Sequence, residues 1–247
     1  GIFERGEIID VEKAAALIKN LIVTAHGKVY GVAVAACLPE PKTFIKIIDA
    51  VGVTNDDLRR AVQKEIEQTI PLPPDEVAYD WQTISSPAEA LAPPAISDVG
   101  KNPTPSSPPP PKRVLIGAAP KTLVDSYADL LERAGLAPFA LEIEATPIAR
   151  ALVPLLSKYT EEAIGLLDIG GTRSSLIIHD SGTVQMSISV PVSGQAITDT
   201  ISTALDIEVE EAEKLKRECG LDAGRCDDKL WTGLLPLIDD LVEKIRN

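Results

Sequence analysis

The chain has 247 residues, with 37 acidic against 24 basic side chains and a net charge of −13. That balance argues against nucleic acid or an anionic membrane surface as direct partners, and acidity of this size mainly serves solubility. The length supports one or two domains with a sizeable core, while no apolar run approaches a membrane span and no signal peptide is visible, as expected of a soluble cytoplasmic protein.

In chain order, Val11, Ala14, Ala15, Ile18, Leu21, Ile22 and Ala25 share one helical face, which predicts a helix from Asp10 as N-cap to Gly27 as stop. Val29 to Leu38 is almost wholly apolar and predicts a strand buried on both faces, with Cys37 as a core residue. Cys37, Cys219 and Cys226 match no zinc or redox spacing. Thr43 to Ile48 predicts a strand, Asn55 to Ile70 an amphipathic helix ended by Pro71, Pro73 and Pro74, and Val77 to Ile84 a further strand. Residues 85 to 112 hold nine of the 20 prolines, a composition that predicts a flexible loop. A strand over Val114 to Ala119 follows, then a helix from Pro120 to Gly135, a strand over Phe139 to Ile143, and a helix over Glu144 to Leu156.

The next unit carries the chemistry. Ile164-Gly165-Leu166-Leu167-Asp168-Ile169-Gly170-Gly171-Thr172 is an apolar run ending in an acid, two glycines and a hydroxyl. It predicts a buried strand and a sharp turn, then strands over Ser174 to His179 and Thr183 to Val190 joined by a turn at Asp180-Ser181-Gly182. Backbone free of side chains can approach a phosphate and offer its N–H groups. An acid there suits a hydrated Mg²⁺, which takes one or two carboxylates plus phosphate oxygens. A tight hairpin turn would use the same glycines, and both readings stay open.

Helices are predicted over Gly194 to Leu205, Val209 to Cys219 and Asp228 to Arg246. Ser193-Gly194 stands where the third strand hands over to a helix. The position suits an anion at a helix N-terminus, though an ordinary strand–helix turn is the simpler reading. Glu213 and Lys216 lie on one side of the following helix. They read either as charge pairs on a solvated face or as groups reaching a ribose and base. Thr198 and Asp199 read as helix-surface residues. No pattern for a covalent nucleophile is present.

Taken in order, several motifs resemble the PilM family of actin-like type IV pilus assembly proteins and, more distantly, the FtsA family of cell-division proteins. They are Lys64-Glu65-Ile66-Glu67-Gln68-Thr69-Ile70-Pro71, Val114-Leu115-Ile116-Gly117-Ala118-Ala119-Pro120-Lys121, Ala134-Gly135-Leu136-Ala137-Pro138, Leu141-Glu142-Ile143-Glu144-Ala145, Leu167 to Thr172, Gly194 to Thr198 and Ala212 to Lys216. The resemblance implies an α/β, actin-like (ribonuclease H-like) two-domain ATPase fold. Residues 1–28 and 113–160 would form subdomain 1A, 29–84 an inserted subdomain 1C, 85–112 the proline-rich loop, and 161–247 the start of domain 2.

By the same resemblance, Asp168 would act on Mg²⁺. Gly170, Gly171 and Thr172 would bind the phosphates of ATP, Gly194 would lie beside them, and Glu213 and Lys216 would contact the adenosine. Ser193 stands where the family usually has a glycine. A first phosphate loop at the N-terminus and an adenosine loop near the C-terminus are not seen, so the sequence, which begins with Gly1, is expected to be the middle of a longer one.

The implied function is a nucleotide-binding scaffold of the pilus assembly platform with at most weak ATPase activity. Its expected partners are the cytoplasmic N-terminus of a PilN-like inner-membrane protein, held between 1A and 1C, and other pilus assembly components. No nucleic acid is expected, and membrane association would be indirect, peripheral to the inner membrane. The alternatives are an FtsA-like cell-division filament protein and an active ATPase or small-molecule kinase of the same fold.

Overall fold

The structure is a computed structural model that describes residues 1–4, 6–25, 31–50, 54–84, 111–156, 162–190, 192–220, 222, 224–225 and 228–246. Gly27, Pro191, Cys226 and residues 85–110 of the expected loop lie outside them. The chain divides into two compact units, Gly1–Ile164 with His179–Met186, and Gly165–Ile178 with Ser187–Asn247.

The first unit opens with a hairpin that the sequence reading did not foresee, β1 (Phe3–Glu4) and β2 (Glu7–Ile8). Strands of two residues are too short to show an alternating pattern. The hairpin is held by contacts distant in sequence: Tyr127 donates to the Gly6 carbonyl over 3.0 Å, and Ile2 and Ile8 pack beside Ala14 and Leu130. Helix α1 (Val11–Thr24) starts on Asp10, whose carboxylate accepts the Lys13 N–H at 2.9 Å.

Strand β3 (Ala33–Leu38) pairs in parallel with β7 (Ala137–Ile143). Its burial alternates and only Leu38 is fully buried; Cys37 is an exposed free thiol. The expectation of a strand buried on both faces is thereby corrected. Among the described residues β3 has β7 as its one ladder partner, and a continuous apolar run is equally consistent with such an edge.

Strands β4 (Phe44–Ala50), β5 (Val77–Ile84) and β6 (Lys112–Pro120) form an antiparallel sheet in the order β4–β6–β5. β6 begins at Lys112, inside the stretch predicted as a loop. Helix α2 (Asn55–Thr69) lays Leu58, Val62 and Ile66 against this sheet, meeting Val77, Val114 and Ile116. These positions recur every four residues, the spacing of one helix face. Each such side chain contributes about 1.5–3 kcal/mol by leaving water, before its ordering entropy is counted. A capping box fixes the start: Thr54 Oγ1 accepts the Asp57 N–H at 3.2 Å and Asp57 accepts the Thr54 N–H at 3.2 Å.

Helices α3 (Lys121–Arg133) and α4 (Ala145–Leu156) complete this unit. Gly135 closes α3 in the left-handed region at φ 83°, where its N–H reaches Glu132 and the Leu136 N–H reaches Leu131.

Strands β8 (Ile164–Ile169), β9 (Ser174–Asp180) and β10 (Thr183–Val190) form a sheet in the order β10–β9–β8; the second unit holds most of β8 and β9 and the latter half of β10. Only Ile164 and Leu166 of β8 are buried and its other four residues are exposed, which corrects the expected buried strand. Ser181 and Gly182 join β9 to β10 at φ 50° and 80°, as a two-residue turn matched to strand twist requires. Helices α5 (Gly194–Leu205), α6 (Val209–Cys219) and α7 (Asp228–Arg246) follow with the predicted boundaries. They enclose a core of Ile201, Ala212, Cys219, Leu230 and Leu234, in which Cys219 is disulfide-bonded.

Candidate functional site

Two places in the fold gather the residues of interest, one in each unit. In the second unit, the loop between β8 and β9 folds on itself, with the Gly170 N–H donating to the Arg173 carbonyl at 2.9 Å. A β-carbon on Gly170 would lie 2.5 Å from that carbonyl oxygen, so no side chain fits. A β-carbon on Gly171 would meet nothing within 4 Å, so the space beside it is open.

The loop is tied to the start of α5. Gly194 donates to the Gly170 carbonyl at 2.9 Å and Gln195 to the Gly171 carbonyl at 2.8 Å. Ser193 caps the helix by accepting the Ala196 N–H at 3.1 Å. The first three helical N–H groups are therefore all satisfied by the protein, and an anion could reach them only by displacing those bonds. In this loop the N–H groups of Gly171 and Thr172, both exposed, have no backbone partner among the described residues. The helix end braces the loop, and the loop offers the donors.

Helix α6 closes against the same turn. Lys216 Nζ donates to the Gly194 carbonyl at 3.0 Å, to Thr198 Oγ1 at 2.8 Å and to Glu213 at 2.5 Å. Thr198 Oγ1 lies 2.7 Å from the Glu213 carboxylate, and Arg217 Nε donates to its other oxygen at 2.9 Å. The hydrogen bonds from Lys216, Thr198 and Arg217 hold the Glu213 carboxyl at a pKa of about 2, below its ordinary 4.5. Thr198 is 1% exposed, which corrects its reading as a surface residue, whereas Asp199 is exposed as expected. A threonine inside a helix is usually bonded back to its own preceding turn, and the Gly194 carbonyl does lie within reach of Thr198 Oγ1 here, at 2.9 Å, so the residue type alone does not point to Glu213.

Asp168, at the end of β8, is exposed. Among the described residues no group of three or more His, Cys, Asp or Glu is placed to hold a metal ion. A single carboxylate beside free N–H groups fits an Mg²⁺ that arrives on a polyphosphate and keeps most of its water, not a metal caged by protein. Gly170, Gly171, Gly194, Glu213 and Lys216 are thus joined in one hydrogen-bonded cluster. Asp168 and Thr172 flank it without entering the network.

In the first unit a groove of about 470 Å³ runs between the β4–β6–β5 sheet and the elements β7 and α4. Trp81, Ile116, Gly117, Leu141 and Thr146 line it. Arg150 and Glu142 stand on its wall as an ion pair in which one guanidinium nitrogen reaches both carboxylate oxygens, at 2.6 and 2.8 Å. Gly117 keeps the passage open, since a β-carbon there would lie 3.3 Å from Ile143 Cδ1. Among the described residues no helix is long and apolar enough to cross a membrane.

Comparison with known proteins bears on the family and the fold. The family described as type IV pilus assembly protein PilM matches residues 1–247. The chain is 29% identical over 100 residues to the cell division protein FtsA of Bacillus subtilis (strain 168), covering 40% of this chain and 22% of that protein. It is 25% identical over 187 residues to FtsA of Neisseria meningitidis serogroup B (strain ATCC BAA-335 / MC58), covering 74% and 41%. Among solved structures it is similar to the PilM-PilN type IV pilus biogenesis complex, with a TM-score of 0.76 and 21% identity over 100% of this chain and 65% of that one. It is also similar to MreB 5 of Spiroplasma citri bound to AMPPNP, with a TM-score of 0.51 and 15% identity over 98% and 59%. At these identities the structural likeness is one of fold, and the fold is the actin-like α/β class that the sequence motifs implied.

Proposed function

The chain belongs to the family of type IV pilus assembly protein PilM, and from that premise we propose that it is a nucleotide-binding, actin-like scaffold of the pilus assembly platform. Its partner in this reading is the cytoplasmic N-terminus of a PilN-like inner-membrane protein, so that it works in the cytoplasm and meets the membrane through that partner.

The observation that carries the reading is the glycine loop braced on α5, which leaves two exposed N–H groups beside a single carboxylate. In the proposed complex Gly171 and Thr172 bind the phosphates of ATP, Asp168 meets the water shell of Mg²⁺, and Gly194 lies beside them. Glu213 accepts a ribose hydroxyl. Binding rather than turnover is the proposed role, since no base stands ready for an acceptor hydroxyl among the residues of the cluster.

The proposed subdomains depart at two elements from those expected of the sequence, 1A over 1–28 and 113–160 and 1C over 29–84: β6, which pairs with β4 and β5, is assigned to 1C, and β3, which pairs with β7, to 1A. The groove between those two sheets is the proposed peptide site. An extended segment there would gain main-chain bonds from strand edges and specificity from pockets.

The test is calorimetric titration of the full-length protein with a synthetic peptide of the PilN-like N-terminus. Thr146→Trp plugs the groove and is expected to abolish binding while leaving the melting temperature unchanged. Unchanged peptide affinity in that variant would remove the groove from the account. Sedimentation with ATP and lipid separates this reading from an FtsA-like filament protein.

A further inference from the structure

We infer that Thr198 and Lys216 are positioning residues that clamp α6 to the glycine loop, so that the nucleoside end and the phosphate end of the site move as one body. The inference rests on the nucleotide-binding reading above and adds to it a division of labour: Glu213 binds, while Thr198 and Lys216 hold it in place.

The donor and acceptor inventory requires this division. An ammonium group has three hydrogens, and those of Lys216 go to the Gly194 carbonyl, Thr198 Oγ1 and Glu213 Oε2. None is left for a base or a ribose. The Thr198 hydroxyl has one hydrogen and two acceptors in reach, the Gly194 carbonyl at 2.9 Å and the Glu213 carboxylate at 2.7 Å. The shorter, charge-assisted bond to Glu213 takes it, which leaves the Gly194 carbonyl to Lys216. Glu213 then keeps an acceptor position on Oε1 beside Arg217, the oxygen to which a ribose hydroxyl can donate.

Gly194 is the joint. Its N–H is spent on the Gly170 carbonyl and its own carbonyl on Lys216, so one residue connects the loop to α6. Thr198, 1% exposed, is the only hydroxyl in this cluster that both accepts from Lys216 and donates to Glu213 among the described residues. Lys216 and Glu213 keep 23% and 34% of their side-chain surface exposed, so the buried Thr198 hydroxyl is the member of the network whose place water cannot readily take.

The experiment compares Thr198→Val with Thr198→Ser in the full-length protein. Valine keeps the shape and removes the hydroxyl; serine restores the hydroxyl. In the ligand-free protein, hydrogen exchange at the Gly194 and Gln195 amides is expected to quicken about tenfold in the valine variant, the scale of one lost buried hydrogen bond, and to return toward wild type in the serine variant. Exchange in the Leu230–Leu234 segment of α7 stays unchanged in both. With Mg-ATP as titrant, affinity falls with valine and recovers with serine.

Unchanged exchange at Gly194 and Gln195 in the valine variant would overturn the clamp, as would a serine variant as fast as valine. A wild-type protein that binds Mg-ATP, but no more tightly than its valine variant does, overturns it too. If the wild type binds no Mg-ATP at all, the nucleotide reading falls, and the exchange measurement still decides the clamp.

Discussion

Gly194 donates its N–H to the carbonyl of Gly170 over 2.9 Å, across 24 positions of sequence, and this bond fastens the glycine loop to the helix behind it. The helix end is therefore used as a brace. Its N–H groups fix where the loop carbonyls lie, and the exposed N–H groups of Gly171 and Thr172 are presented as a consequence.

The two loop glycines are expected to respond differently to alanine. At Gly170 the added carbon meets a backbone oxygen at 2.5 Å, which cannot step aside without opening the turn. Overpacking of this kind costs about 1–3 kcal/mol, so Gly170→Ala lowers the denaturation midpoint. At Gly171 the carbon enters open space. Gly171→Ala is expected to keep its melting temperature and to lose about tenfold in Mg-ATP affinity, or about 1.4 kcal/mol. Chemical denaturation and calorimetry read the two effects separately.

Gly233 sits inside α7, where alanine would ordinarily add about 1 kcal/mol of helix preference. Here a β-carbon would lie 2.6 Å from Ala204 Cβ on α5. Two helix backbones approach each other at this point, and neither atom has a rotamer through which to escape. Gly233→Ala is expected to destabilise the second unit by about 1–3 kcal/mol, measured as a lowered urea midpoint.

Helix α2 depends on its cap. Thr54→Ala removes the acceptor for the Asp57 N–H and one of the hydrogen bonds that hold the Asp57 carboxyl at a pKa of about 2. The expected loss is about 1 kcal/mol in stability at neutral pH, read from denaturant unfolding.

Acid should reveal the Glu213 network. Its carboxyl titrates at about 2 in the folded protein against an ordinary 4.5. A depressed folded pKa gives stability that is fully present above 4.5 and is lost as pH falls through about 2. The difference in melting temperature between wild type and Glu213→Gln is therefore expected to be constant from neutral pH down to about 5 and to shrink below it. A difference that grew on acidification would contradict the assignment.

The sequence carried the element order well where a local cause existed. Asp10 and Gly135 mark helix ends because capping is decided within one turn, and Ser181-Gly182 turns because both positions have positive φ. The actin-like class was legible in the order of several short motifs. What was not legible depended on partners distant in the chain. Cys37 looked like core because an apolar run does not say whether its strand has one neighbour or two. The hairpin at Phe3–Ile8 is fixed by Tyr127, and Thr198 is buried by an α6 that arrives later in the chain. At the candidate site the residue types were readable, whereas the use of the helix N–H groups as a brace was not, since it depends on where two loop carbonyls fall.

The central claim is that the turn after Asp168 holds a magnesium-bound polyphosphate, and the direct measurement is calorimetry of the full-length protein with ATP, with and without magnesium, repeated on Asp168→Ala. Magnesium-dependent binding by the wild type that weakens strongly in Asp168→Ala is the expected result. No magnesium-dependent heat, or equal affinity in the two proteins, would contradict the account.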